Sequence, residues 1–426
     1  MKRILFLLML TCLAVSARAQ LTLEYCFERA ELNYPLIQKY DVINRTSAIA
    51  LSDINKGWLP RVDLYGQATG QNIVPNFPAA LGNVLQQMGQ QMRGLGKVQY
   101  KVGLDINQTI WDGGASKSKR AIERAQKAEN EAAISVGLYA VRERVLNLFF
   151  AILLMEQQIE LTQNTASLLR ANHQLVTAMV KNGTAMRSDA DMIEAQLLTV
   201  EQQLTTARTS LAGYRTMLGI YIGEDVADRS LVAPQEITVT NQPSARPELE
   251  LYRAQLEVNR VRMQSINASV MPRAALFAQA YYGYPGFNYF ESMMNRNLSF
   301  NILAGVKISW NIDSFYTKKN SKQRLDALAR GIDADRETFL FNSSLNSAAQ
   351  RTEIEGLRSA IKDDSRIVEL RTNVRIAAES QLKNGIIDAT ALLSKITDEN
   401  QARLTQSLHQ TQLLNHIYQL KYILNQ

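Results

Sequence analysis

Residues 98–107 alternate without error: Val98, Tyr100, Val102, Leu104 and Ile106 share one side, and Gln99, Lys101, Gly103, Asp105 and Asn107 the other. Residues 298–312 follow the same rule, with Leu298, Phe300, Ile302, Ala304, Val306, Ile308, Trp310 and Ile312 opposite mostly polar neighbours. Period two over this length predicts strands with one apolar and one wet face. About ten residues of tilted strand cross a bilayer, and membrane barrels turn apolar residues outward and polar ones to the lumen. A soluble sandwich alternates too, but it offers many short strands. Here the pattern suggests four, at 59–70, 98–111, 271–283 and 298–312.

A different period governs most of the rest. Between 141 and 180, Val141, Val145, Leu148, Ile152, Met155, Ile159, Thr162, Ala166, Leu169, His173, Val176 and Val180 recur in alternating steps of four and three. Ile193, Leu197, Val200, Leu204, Ala207, Leu211, Tyr214 and Leu218 continue the rule in a second stretch. Such seams are those of packed, coiled helices. Helices are expected at about 36–57, 115–181, 186–219, 248–269, 316–383 and 388–424. At 1.5 Å per residue, 115–181 makes a rod of about 100 Å, while 186–219 and 248–269 return about 51 and 33 Å.

The chain also repeats itself. Residues 54–68 and 266–280 are identical at seven of 15 positions: Ile54, Asn55, Pro60, Arg61, Leu64, Gln67 and Ala68 match Ile266, Asn267, Pro272, Arg273, Leu276, Gln279 and Ala280. That offset of 212 falls to 202 further on, where Lys181-Asn182-Gly183 matches Lys383-Asn384-Gly385. The difference lies between segments 71–97 and 284–297, which read as loops, where insertions cost little. The expected organisation is a first repeat at 20–245, closed by a linker rich in breakers at 220–246, and a second at 246–426.

Four strands cannot close a barrel, whose smallest versions need about eight. In lipid an open edge is not allowed, so other copies of the chain must complete it: two giving eight strands, or three giving 12.

Lys2 and Arg3, the apolar run 4–15 and Ala17-Arg18-Ala19 read as a secretory signal peptide, 1–19, cut before Gln20. Thr11 ahead of Cys12 argues against a lipidated cysteine. Removing Lys2, Arg3 and Arg18 lowers the net charge from +7 to +4, too mild and scattered to imply nucleic acid. Cys26 alone remains, so no internal disulfide forms.

Leu21-Thr22-Leu23-Glu24, Asn33-Tyr34-Pro35, Leu59-Pro60-Arg61, Trp111-Asp112-Gly113-Gly114 and the two Asn-Gly turns, in this order and partly duplicated, make the chain similar to the TolC-like outer-membrane efflux protein family over essentially its whole mature length. The resemblance implies a mixed α and β membrane protein. Its trimer would form a 12-stranded β-barrel, four strands per chain, continued by a long coiled-coil α-helical barrel in the periplasm. It implies a homotrimer in outer-membrane lipid that docks a periplasmic adaptor protein and an inner-membrane transporter. The second equivalent of the Trp-Asp-Gly-Gly turn reads Asn311-Ile312-Asp313-Ser314, so that turn must be built differently.

Asn182-Gly183 and Asn384-Gly385, each preceded by Lys181 or Lys383, join antiparallel helices, where glycine closes a helix in the left-handed conformation. By the resemblance, these six residues form the periplasmic rim that meets the adaptor. Arg187, Asp189 and Asp388 fall where the family holds its entrance shut, although an acidic helix start equally suits the helix dipole. His409 and His416 share a helix face two turns apart and, with His173, read as structural rather than metal-binding. No catalytic triad, P-loop or zinc motif appears, and Gly94-Leu95-Gly96 lacks a following helix. The expectation is a passive export channel from periplasm to exterior, with no enzymatic role, cofactor or metal. The competing reading is a non-transporting trimeric surface fibre with a coiled-coil stalk.

Overall fold

The computed structural model describes residues 21–76, 78, 81, 83–84, 87–89, 94–240, 242 and 244–426. The signal peptide, Cys12 and the cleavage site lie outside them. The elements run α1 (Leu23–Asn33), α2 (Lys39–Lys56), β1 (Arg61–Gly70), β2 (Val98–Trp111), α3 (Ala115–Lys181), α4 (Arg187–Ile222), α5 (Pro247–Ser269), β3 (Arg273–Tyr284), α6 (Tyr289–Asn295), β4 (Ser299–Ser309), α7 (Ser314–Lys383) and α8 (Ala389–Leu424). The chain is thus mixed α and β, dominated by helix, with four strands among the described residues.

The sequence patterns place most of these bounds. Three elements differ from expectation. Helix α1 was not signalled, although Leu23, Cys26 and Ala30 bury one stripe and the Thr22 hydroxyl accepts the Tyr25 N–H at the N-cap. Segment 284–297 is not loop throughout: α6 sits in it, capped by the Asn288 side chain. Strand β4 ends at Ser309 rather than 312, because the chain turns there into α7. That turn is built as Phe315 N–H to Ile312 O and Tyr316 N–H to Asp313 O. Its counterpart is different. Gly113 and Gly114 have φ of 68° and 87°, and the Asp112 carboxylate accepts the Gly114 and Ser116 N–H groups at 2.9 and 2.6 Å.

The described residues divide into two compact units, each drawing on both halves of the sequence: 21–40, 131–252 and 334–426 in one, 41–130 and 253–333 in the other. The first is helical. Its core joins Leu21, Leu23 and Cys26 to Val145, Phe149 and Ile152 of α3, Leu218 and Ile222 of α4, and Ile417 and Leu424 of α8. Along the seam read from sequence in α3 and α4, every residue is buried or half-buried. Asn33, from the Asn-Tyr-Pro motif, donates its side-chain amide to the Ile220 and Tyr221 carbonyls and so closes the end of α4. His409 and His416 bridge α8 to Asp364 and Gln350 of α7, each at 2.7 Å.

The second unit holds the sheet. Its strands run β1-β2-β3-β4, each antiparallel to the next, leaving β1 and β4 as edges. Among the described residues no helix is long and apolar enough to cross a membrane.

Candidate functional site

Register decides what the sheet can do. Leu64 lies opposite Leu104, which lies opposite Ala280, which lies opposite Ile302. Val102 likewise aligns with Tyr282 and then Phe300. Since side chains of directly paired residues share a face, the apolar series of all four strands merge into one continuous surface. That surface is bare: Leu64 is 75%, Val102 60%, Ile302 63% and Ile308 75% exposed. An exposed apolar patch on this scale marks an interaction or membrane surface.

The opposite face carries Asp63, Gln67, Gln99, Lys101, Asp105, Gln279, Asn301 and Lys307. Aromatic side chains stand opposite glycines on it. Tyr281 pairs with Gly103 and Phe277 with Gly305. A Cβ on Gly103 would come within 2.7 Å of the Tyr281 Cβ, and one on Gly305 within 2.9 Å of the Phe277 ring. Small opposite large is how a strand pair accommodates a ring lying flat on it. The Lys101 ammonium stands 5.6 Å from the Tyr65 ring and 5.3 Å from the Tyr281 ring, a cation–π arrangement. The alternation sorts Lys101 and Gly103 to the polar face but does not reveal these partners, because cross-strand neighbours 36 and 180 positions from Lys101 leave no local signal.

The tips lie in the helical unit. Gly183 and Gly385 take φ of 72° and 69°. Gly183 N–H bonds to Val180 O and Thr184 N–H to Met179 O, while Gly385 N–H bonds to Leu382 O and Ile386 N–H to Gln381 O. Both are the double-bonded helix ending that favours glycine. Lys181 and Lys383 end their helices, and Asn384 donates its side-chain amide to Ser380 O at 2.9 Å. Both turns line one cavity of about 490 Å³, between Thr184–Met186 and Ile386–Ala389. Met186 and Ile386 are exposed there.

Of the residues expected near the entrance, Asp388 is the N-cap of α8 and accepts the Ala391 N–H at 2.8 Å. Asp189 accepts the Met186 N–H at 2.9 Å. Both carboxylates thus serve the starts of their own helices, and Arg187 pairs with neither. A charged group that sequence reading overlooked lies about three turns above the tip. Glu399, buried, receives Arg375, Arg403 at 2.7 Å and the Thr372 hydroxyl at 2.9 Å, and Arg375 also holds Glu379 at 2.7 Å. Burial pushes this carboxyl up, but the hydrogen bonds from Arg403, Thr372 and Arg375 outweigh it and leave it below the usual glutamate value. The i,i+4 spacings Arg375–Glu379 and Glu399–Arg403 were the available signal.

The family of outer membrane efflux proteins is matched over residues 53–223. No curated protein sequence matches the chain. Among solved structures, the outer membrane protein VceC of Vibrio cholerae is 13% identical with a TM-score of 0.68, covering 94% of this chain and 95% of its own. The open state of the Neisseria gonorrhoeae MtrE outer membrane channel is 14% identical with a TM-score of 0.68, covering 94% and 88%. The Campylobacter jejuni CmeC outer membrane channel is 11% identical with a TM-score of 0.65, covering 94% and 85%. The chain is similar in sequence to outer membrane efflux proteins, and it shares the fold of these TolC-like channels.

Proposed function

We propose that this chain, similar to outer-membrane efflux proteins in sequence and to outer-membrane channels in fold, is one protomer of a trimeric export channel. Three four-stranded sheets close a 12-stranded barrel in the outer membrane, and the helices of three chains continue it as a periplasmic tunnel. The two sequence repeats each supply two strands and one long helical hairpin. The conduit is passive, and an inner-membrane pump drives it through a periplasmic adaptor that docks on the rim formed by Lys181-Asn182-Gly183 and Lys383-Asn384-Gly385. Arg187, Asp189 and Asp388 lie beside that rim and are the candidate entrance gate.

The observation that carries this reading is the sheet. It exposes one unbroken apolar face, opposes it with a polar one, and leaves both edges unpaired. In water such a face invites aggregation; in lipid it is required, provided that the edges are closed by further strands. A surface fibre needs neither the bare apolar sheet nor the returning helices. Purified protein added to planar bilayers should give discrete ion-conducting steps. Protein that inserts yet leaves the bilayer electrically silent would favour the fibre.

A further inference from the structure

The exposed apolar face of the sheet ends in aromatic rings and then in unpaired cations. Trp310 continues the even-numbered series after Ile308 and is fixed by its indole N–H on the Val270 carbonyl at 3.0 Å. Its ring meets Phe315 edge-on at 6.2 Å, and the Lys318 ammonium lies 5.9 Å from the Phe315 ring. Lys319 and Lys322 fall four and seven positions after Phe315, hence on the same face of α7. No carboxylate within ion-pairing distance of Lys318, Lys319 or Lys322 is found among the described residues.

Helix physics does not account for these charges. Residues 314–325 contain Lys318, Lys319, Lys322 and Arg324 and no acid, although the start of a helix favours anions. Helices α1, α2, α4 and α5 obey that preference, with Glu24, Asp41, Asp189 and Glu248 in their first turns. The two helices that leave the sheet have their only N-terminal acid just before the first turn, Asp112 and Asp313, and cations within the turns that follow. Helix α3 has no acid in its first turn and carries Lys117, Lys119 and Arg120, just beyond the exposed Trp111. Apolar surface, then aromatic rings, then cations is the order in which a leaflet presents acyl chain, interface and phosphate.

We propose that Trp310, Phe315, Lys318, Lys319 and Lys322 form a docking surface for anionic phospholipid headgroups of the leaflet nearest the helices. Charge complementarity selects the occupant: three cations without carboxylate partners, held beside an apolar face. The inference rests on the reading of the sheet as membrane-spanning.

The test uses the full chain with Trp58→Phe and Trp111→Phe, leaving Trp310 as the reporter, in phosphatidylcholine bilayers. Brominated phosphatidylglycerol or brominated phosphatidylcholine is added at equal mole fraction. Phosphatidylglycerol should occupy the site with an apparent preference of about fivefold for even one effective lysine, read as stronger quenching. Lys318→Gln/Lys319→Gln/Lys322→Gln should bring the two lipids to equality, and the triple Arg variant should keep the preference. Equal quenching with the lysines in place overturns the inference, as does a preference that survives the triple Gln change. Loss of the preference in inorganic phosphate, but not in sodium chloride of equal ionic strength, would reassign the site to free phosphate. Quenching by neither lipid would bring down the membrane-sheet reading itself.

Discussion

The two long hairpins, α3/α4 and α7/α8, have nearly the same dimensions and very different interiors. Helix α3 has 67 residues and α7 has 70, and their return helices have 36 each. Helix α3 buries a dense apolar run, Val145, Leu146, Phe149, Phe150, Ile152 and Leu153 among it. Helix α7 buries few residues, two of them the polar Ser343 and Asp364, and leaves Phe341 63% exposed together with Leu345, Ile367, Leu370 and Val374. Ile367, Leu370 and Val374 lie on one helix face at spacings of three and four. The first hairpin therefore covers its long helix within one chain, leaving Leu198, Met217 and Ile220 of α4 exposed. The second carries apolar surface that one chain does not cover, as the proposed trimer requires.

The difference reaches inside the hairpins. At the level where the second hairpin encloses Glu399 with Arg375 and Arg403, the first has Leu169, Ile193, Leu197 and Val200, with Arg170 and Glu201 paired at 2.7 Å on its surface. An apolar seam stabilises by area and tolerates small slips in register. A buried charge network adds less net stability and permits one register.

The largest expected effect separates the hairpins directly. Phe149→Ala removes a fully buried ring and should cost about 3–5 kcal/mol. Phe341→Ala should leave the chain's unfolding midpoint nearly unchanged and weaken the oligomer instead. Denaturant unfolding and native mass on both variants check this, and the comparison breaks if the two variants behave alike.

Glu399→Ala should come next, at about 1–3 kcal/mol, because it takes one of two carboxylates from the shielded Arg375 and leaves the Thr372 hydroxyl unpaired, while the exposed Arg403 turns to water. Proteolysis should then appear first in α7/α8. The same network predicts a pH dependence. The folded carboxyl lies below the usual 4.5, so its stabilisation is complete above that value and is lost as pH falls through the lower, folded value. Wild type and Glu399→Gln should differ most above about pH 4.5 and converge below it, as the wild type loses its advantage there.

Smaller effects sharpen the picture at the tips. Gly183→Val and Gly385→Val each force a side chain into a left-handed turn, at about 1–2 kcal/mol. Nothing else lies within 4 Å of a Cβ added at either glycine, so the damage should stay local. Export should fail in both variants while trimers persist, and export assays beside native gels on the same material check it. Normal export with valine at both glycines would mean that the tips are not the docking rim. Smallest of all, Arg170→Ala on the exposed pair of the first hairpin should change stability by less than about 1 kcal/mol.

Much of this was legible in the chain, for reasons that differ by element. Helix α3 was read at 115–181, where the structure places it, because its seam and its Gly-Gly and Asn-Gly ends mark it locally. The two faces of β2 were legible because register with β1 and β3 preserves the alternation that each strand shows alone. Helix α1 was missed because 11 residues hold too few periods to stand out, even with a good cap. The charged interior of α7/α8 was missed because its logic is relational. Glu399 looks like any surface glutamate until Arg375, 24 positions away, is brought to it. Asp189 and Asp388 could be read either way from sequence, as gate or as helix start, and the structure shows Asp388 bonded to the first turn of its helix and Asp189 to the Met186 N–H just before its own.

In the proposed channel the four-stranded sheet is one third of a closed wall. The most direct measurement is the native mass of the species that conducts, taken from the same detergent preparation that yields channels in planar bilayers. Three chains per conducting particle is the predicted result. A single chain that still conducts ions would contradict it.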